Sequence, residues 1–301
     1  MEEEIRNYAF RWLTDQTKIY GEVLPRKLLE TGFIYQNQRV TLVGPSGIWK
    51  PKVFDKIPIS ITSTPKGPYE DKFTNDGLLI YRYRGSDPNH RDNVALREAM
   101  RSRTPLIYFH GIIESRYLAV WPVFIMENSP LDLFCTVAVD PAFALGTASF
   151  ENIGTENEES SLSIRKYVMT ATKHRLHQSA FREMVISAYN DKCALCALRH
   201  RELLDAAHII PDKEEYGEPI IQNGLSLCKI HHAAFDVNII GISPDYNISI
   251  REDILKEHDG PMLRYGLQEL DNRKLILPNK KENWPDQERL EMRFKEFRQA
   301  G

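Results

Sequence analysis

Apolar positions recur at helical spacing at both ends of this chain and at strand spacing through its middle. Near the N-terminus Ile5, Tyr8, Ala9 and Leu13 share one face, which predicts a helix over residues 3–17. Pro25 opens a second short helix through Leu28 and Leu29, and Gly32 ends it. Apolar runs at 33–35 and 39–43 predict two strands, and Gly44-Pro45-Ser46-Gly47 reads as a loop. Two helices and a hairpin fit a small winged helix or a cap over the next domain; the cap is the preferred reading. Residues 48–140 are predominantly β, with strands expected at 57–62, 78–84, 106–110, 117–125 and 131–139. One helix, 92–100, interrupts them after the Ser86-Asp87-Pro88-Asn89 turn, so a curved sheet or partial barrel is expected.

From Pro141 to Ser163 the pattern lapses into a polar, acidic stretch that reads as a linker. Helical spacing resumes at 162–172 and at 178–189, where Phe181, Met184, Val185 and Ala188 align. Residues 203–210 form a mostly apolar run broken by Asp205 and His208, which predicts a strand carrying polar groups into a site. Asn223 and Gly224 mark a turn, Leu225 and Leu227 begin another short element, and 231–236 should be helical. A strand-turn-strand at 239–242 and 248–250 follows. The charged helix 286–298 closes the chain, its stripe of Leu290, Phe294 and Phe297 packing back on the core.

Composition adds limits. The chain has 301 residues, enough for two domains and a linker, and a net charge of −3. That balance excludes a uniformly basic nucleic-acid coat, so any phosphate contact must come from local clusters. No apolar run is long enough to span a membrane. The start, Met1-Glu2-Glu3-Glu4, does not read as a signal peptide. Cytoplasmic location is expected, because three of the four cysteines sit in a metal-like array and Cys135 stands alone.

That array is the most informative stretch. Cys193 pairs with Cys196 and Cys228 with His231, each as a ligand, two spacers and a ligand. Such spacing lets tight turns present four donors to one tetrahedral ion, so a structural zinc is expected. Between and after the pairs come Asp205, His208, Asn223, His232 and Asp236, and the last His and Asp are one helical turn apart.

The stretch Cys193 to Asp236 resembles the HNH endonuclease family, whose ββα-metal fold grips one divalent ion. The resemblance aligns His208, Asn223 and His232 with the family's three motif residues. It implies that His208 takes a proton from the attacking water, that Asn223 orients that imidazole, and that His232 holds a catalytic Mg²⁺ or Mn²⁺ on the scissile phosphate. Many members carry a further metal ligand immediately before the base, where this chain has Ala207. Asp236 or Asp205 must then complete the site, with Asp236 the preferred partner of His232.

A second resemblance covers part of the first half. Tyr69-Glu70-Asp71, Tyr83-Arg84-Gly85, Asn93 to Leu96, Pro105 to Tyr108 and Tyr117 to Trp121 occur in the order found in the SRA domain. That PUA-like fold reads modified cytosine by turning the nucleotide out of the duplex. The resemblance implies stacking by Tyr69 and Tyr83 and hydrogen bonding by Asp71 to an exocyclic amine. The spacing of the two tyrosines departs from the family's, and Lys72 stands where a second acid is common.

Arg84, Arg97 and Arg101 on the β domain, and Lys173, Arg175 and Arg182 before the cysteine array, are candidate DNA-backbone contacts. The expected organisation is α+β. A DNA-reader domain spans 1–140 with an N-terminal helical cap, a linker spans 141–163, and a zinc-pinned nuclease domain spans 164–301. The expected activity is modification-dependent cleavage of double-stranded DNA, with a homodimer cutting both strands and no membrane partner. Two alternatives stay open: a nuclease whose first domain senses another ligand, and a zinc-stabilised binding module without catalysis.

Overall fold

The computed structural model describes residues 1–64, 72–73, 78–139 and 177–300. The expected linker, the helix at 162–172, and Tyr69, Asp71, Lys173 and Arg175 lie outside the described residues. The chain forms two compact units, Met1–Ser179 and Ala180–Gly301.

The first unit is built on one sheet. Its strands are β1 (Val23–Pro25), β4 (Ile48–Trp49), β5 (Ser60–Thr62), β6 (Lys72–Phe73), β7 (Leu79–Arg82), β8 (Leu106–Ile113), β9 (Arg116–Ser129) and β10 (Phe134–Val139). The order is β4-β5-β8-β9-β10-β7-β6, with β1 added to β9. Only β5 and β8 pair in parallel. A separate small hairpin, β2 (Phe33–Tyr35) and β3 (Gln38–Val40), lies between β1 and β4 in sequence. The sheet curls as expected. Tyr81 of β7 reaches across to the Gly47 and Thr62 carbonyls beside β4 and β5, at 3.0 and 3.2 Å, although these strands are far apart in the order.

Each face of the sheet has its own core. Helix α1 (Glu2–Tyr20) buries Ile5, Ala9, Phe10 and Leu13 with α2 (Arg26–Thr31), Ile107 and Phe109. The N-terminal elements are therefore a cap on the sheet. Helix α3 (Arg91–Arg101) buries Leu96 and Ala99 against the other face, with Ile61, Tyr108 and Val123. Arg6, a residue the apolar pattern passed over, is 2% exposed. It donates to the carbonyls of Ile57, Pro58 and Pro105 and lies over Phe54. Burial pulls its guanidinium down to about 10, still charged at neutral pH. Cys135 is also buried, which pushes its thiol up to about 12 and makes it an inert core residue.

The second unit centres on an antiparallel hairpin, β11 (Leu204–His208) and β12 (Gly224–Cys228), in register from Leu204 opposite Cys228 to His208 opposite Gly224. Helix α4 (177–188) lies against it, and α5 (Lys229–Asp236) follows β12 directly. A second hairpin, β13 (Ile240–Ile242) and β14 (Ile248–Ile250), and the final helix α6 (Gln287–Gln299) complete the core. Asp286 caps α6 by accepting from the Arg289 amide at 2.9 Å. The helix sits so close to β13 that a Cβ on Gly241 would meet the Phe297 ring at 2.4 Å.

Candidate metal and nuclease site

All four predicted metal ligands converge. One donor atom each from Cys193, Cys196, Cys228 and His231 lies within 4.8 Å of the others. The turn at 193–196 and the start of α5 supply the two pairs, and the hairpin holds them together. His231 Nδ1 is 3.3 Å from both the Cys193 and Cys228 sulfurs. Its other nitrogen, Nε2, donates to the Gly266 carbonyl at 2.7 Å. That bond fixes the tautomer whose Nδ1 lone pair faces the thiols, as metal-bound imidazoles require. Contact with Cys193 pushes Cys196 up and pulls Cys228 down in pKa, so the thiols compete for protons in a space sized for a cation. The donor set and spread fit a single tetrahedral ion.

Beside this cluster the hairpin and α5 assemble a second polar group. His208 ends β11, its ring stacked on Phe181 of α4 at 3.9 Å and 18°. Its Nε2 is buried and has no hydrogen-bond partner among the described residues. Burial lowers the imidazole's pKa below the ordinary value, a shift opposed by Asp212 and Asp236 and reinforced by His232. The result is a neutral ring with a lone pair free to accept a proton near pH 7.

Gly224 opposite His208 makes this stack possible. A Cβ there would meet Val185 at 2.3 Å and the Phe181 ring at 2.9 Å. Gly224→Ala is expected to push α4 off the hairpin and destabilise the second unit by about 1–3 kcal/mol. Its denaturant midpoint, read by tryptophan fluorescence, checks this.

Asn223 is fully buried. Its amide accepts from the Ile210 amide at 2.9 Å and donates to the carbonyls of Ile210 and Glu218 at 3.0 and 3.2 Å. Its own carbonyl accepts from the Ile209 amide. The side chain therefore clamps the backbone leaving His208 instead of touching the imidazole. It positions the ring through the chain.

His232 stands between two carboxylates. Its Nδ1 is 3.7 Å from Asp205 and its Nε2 is 3.4 Å from Asp236. Hydrogen bonding to Asp205 raises its pKa, and the same contact lowers that of Asp205, against the burial that opposes each shift. Asp205 and Ala207 point to one side of β11. The buried Ala207 leaves that position without a donor, and Asp205 supplies a carboxylate two residues earlier.

Two arginines support the elements that carry these groups, Arg182 beside the Asp205 carboxylate and Arg293 on the backbone that ends α5, and the hydrophobic pattern singled out neither role. Arg182 of α4 donates to the Leu204 carbonyl at 2.6 Å and lies 3.6 Å from Asp205. It was expected to face DNA, but it turns inward to the start of β11. Arg293 of α6 donates to the carbonyls of Phe235 and Asp236 at 2.9 and 3.2 Å and covers the Phe235 ring. It thereby ties down the C-terminal end of α5. Arg293→Gln is expected to raise the divalent-ion concentration needed for half-maximal cleavage several-fold, with a smaller change in the saturated rate. A metal titration of the rate checks it, and Arg293→Lys should recover part of the loss.

In the first unit the predicted reader residues are less exposed than expected. Tyr83 is 2% exposed within the core that includes Leu96 and Cys135, so its ring presents no free face. Arg84 pairs with Asp92 at 2.6 Å, Arg97 donates to the Pro88 carbonyl at 2.6 Å, and Arg101 pairs with Glu98 at 2.6 Å. All three have local partners in place.

A two-stranded hairpin closed by a helix beside a Cys₃His cluster defines a ββα-metal module. Residues 193–243 match the family described as HNH endonuclease, and the second unit carries an HNH domain. No curated protein matches the chain. Among solved structures, a "modification dependent TagI restriction endonuclease" is similar at 14% identity and a TM-score of 0.28, over 80% of this chain and 82% of that one. An SRA domain, "SUVH5 SRA- methylated CHH DNA complex", has 21% identity and a TM-score of 0.25, over 38% and 90%. The "Type IV phosphorothioation-dependent restriction endonuclease ScoMcrA" has 15% identity and a TM-score of 0.21, over 58% and 52%. Among the described residues no helix is long and apolar enough to cross a membrane.

Proposed function

We propose that this chain is a metal-dependent endonuclease that hydrolyses phosphodiester bonds of double-stranded DNA carrying modified cytosine. The observation that carries the nuclease reading is the half-buried His208, whose Nε2 bonds nothing among the described residues, on the hairpin packed against the helix that bears the His232 and Asp236 pair, within a segment that matches the HNH family.

His208 is the general base that takes the proton from the attacking water. Phe181 and the Asn223 clamp hold its ring in place. His232 Nε2 and Asp236 hold Mg²⁺ or Mn²⁺, while Asp205 orients the ring from its other nitrogen. When bound, that ion polarises the phosphate and stabilises the leaving oxygen. The Cys193, Cys196, Cys228 and His231 cluster would hold Zn²⁺, which would pin the hairpin. With one such site among the described residues, double-strand cutting calls for two copies, a homodimer on DNA.

The selectivity for modified cytosine rests on the Tyr69-Glu70-Asp71 segment and the motif order around it. A nuclease module of this size reads little sequence itself and needs a separate source of choice. The test is cleavage by the full chain of matched duplexes bearing 5-methylcytosine, 5-hydroxymethylcytosine or plain cytosine. Preferential cutting of a modified duplex is expected. Equal cutting of all three removes the modified-base part and leaves the nuclease.

A further inference from the structure

The first unit has a cleft of about 610 Å³ between the loop after β4 and the first turns of α3, lined by Trp49, Lys50, Lys52 and Lys56 on the loop side. The loop is held firmly. Pro51, Phe54 and Pro58 are buried, and Phe54 lies beneath the Arg6 guanidinium. The Phe54 amide donates to the Pro51 carbonyl at 3.0 Å, and the Asp55 amide to Glu2 at 2.6 Å. With Pro51 and Phe54 turned into the core, Lys50, Lys52 and Lys56 are exposed.

The charges in the cleft are unequal. On the α3 side, Asp92 is paired with Arg84 at 2.6 Å and Glu98 with Arg101 at 2.6 Å. Lys50 spends one hydrogen on the Phe54 carbonyl, at 2.7 Å. Lys52 and Lys56 have neither an ion pair nor a hydrogen bond among the described residues, and Asp55 is the one lining carboxylate without a cation. In a chain with net charge −3, such a surplus is not a by-product of general basicity.

We propose that this cleft holds the phosphodiester backbone of DNA through Lys50, Lys52 and Lys56, giving the first unit its own grip on the duplex. The cations spread along one wall suit successive phosphates, and an ammonium on a flexible stem binds phosphate as a point charge without reading sequence. Arg84, Arg97 and Arg101, the arginines expected to anchor DNA on this unit, already have local partners, so these lysines take over that role. The proposal rests on the DNA reading above and extends it.

The experiment compares full-length wild type with the Lys52→Gln/Lys56→Gln variant. Affinity for an unmodified duplex is measured over about 50 to 200 mM salt, with no divalent ion added. Each lost phosphate contact removes roughly 0.9 from the slope of log affinity against log salt, so the double variant should be shallower by about 1.8. Its affinity should then fall about tenfold less than that of wild type across this range. Lys52→Arg/Lys56→Arg should keep the wild-type slope. A steep wild-type slope left unchanged in the glutamine variant overturns the cleft assignment while leaving the nuclease reading intact. Absence of any wild-type binding to the unmodified duplex also overturns the cleft assignment, and the nuclease reading is then judged on cleavage of the modified duplexes alone. A nucleoside triphosphate that binds wild type and not the glutamine variant, with DNA slopes equal, makes the cleft a nucleotide site and also overturns the proposal.

Discussion

His208→Ala is expected to lower the rate of DNA cleavage by about 10²- to 10⁴-fold, the range for losing a positioned general base. Metal content and unfolding midpoint should change little, because the imidazole stacks only on Phe181 and its Nε2 bonds nothing among the described residues. Plasmid nicking under saturating Mg²⁺ or Mn²⁺ measures it. The wild-type pH profile carries the same information. The base works when deprotonated, so activity falls as pH drops through the pKa of His208. Burial lowers that pKa, so at saturating metal the half-point lies below the ordinary value of 6.5. His232 is raised by Asp205, and its proton competes with the catalytic ion. At limiting metal the acid limb should therefore move to higher pH. An acid limb that ignores metal concentration would remove His232 from the metal site.

Loss of the ion at Cys193, Cys196, Cys228 and His231 should be the most damaging change to stability. A structural zinc of this donor type contributes on the order of 10 kcal/mol, as much as the whole stability of an ordinary domain. The same cysteines sit in the second unit's core, where Cys193 is 0% and Cys228 6% exposed. Cys228→Ser, or prolonged chelation, is expected to abolish the cooperative unfolding transition of the second unit. Elemental analysis of purified wild type should give one zinc per chain. A chelated protein with an unchanged transition would show that the cluster needs no metal.

Much of the candidate site was legible because its residues are local in sequence. The two ligand pairs, the strand with His208, the Asn223-Gly224 turn and the His232–Asp236 spacing each lie within a few residues, so period and spacing reveal them. The supports come from far away in the chain and carry no such pattern. Arg293 is 57 residues beyond Asp236, its partner, and Gly266 is 35 residues beyond His231. Arg182 sat in a basic run that reads as facing DNA, yet it bonds the start of β11.

The curled sheet was legible from alternation, including most of its strands and α3. Its inner population was not. Tyr83 reads as a base-stacking ring by motif but packs in the core, because the sheet buries both faces under helices. Arg6 is hidden in the same way, as a cation on an apolar helix face that only the Ile57, Pro58 and Pro105 carbonyls explain.

The most direct measurement of whether an imidazole and a cation share one phosphate-sized space is paramagnetic broadening of histidine ring signals by Mn²⁺ in the zinc-loaded protein. The His208 ring resonances should broaden at one equivalent of Mn²⁺ and stay sharp in His232→Ala. Sharp His208 signals in wild type at saturating Mn²⁺ would contradict the account.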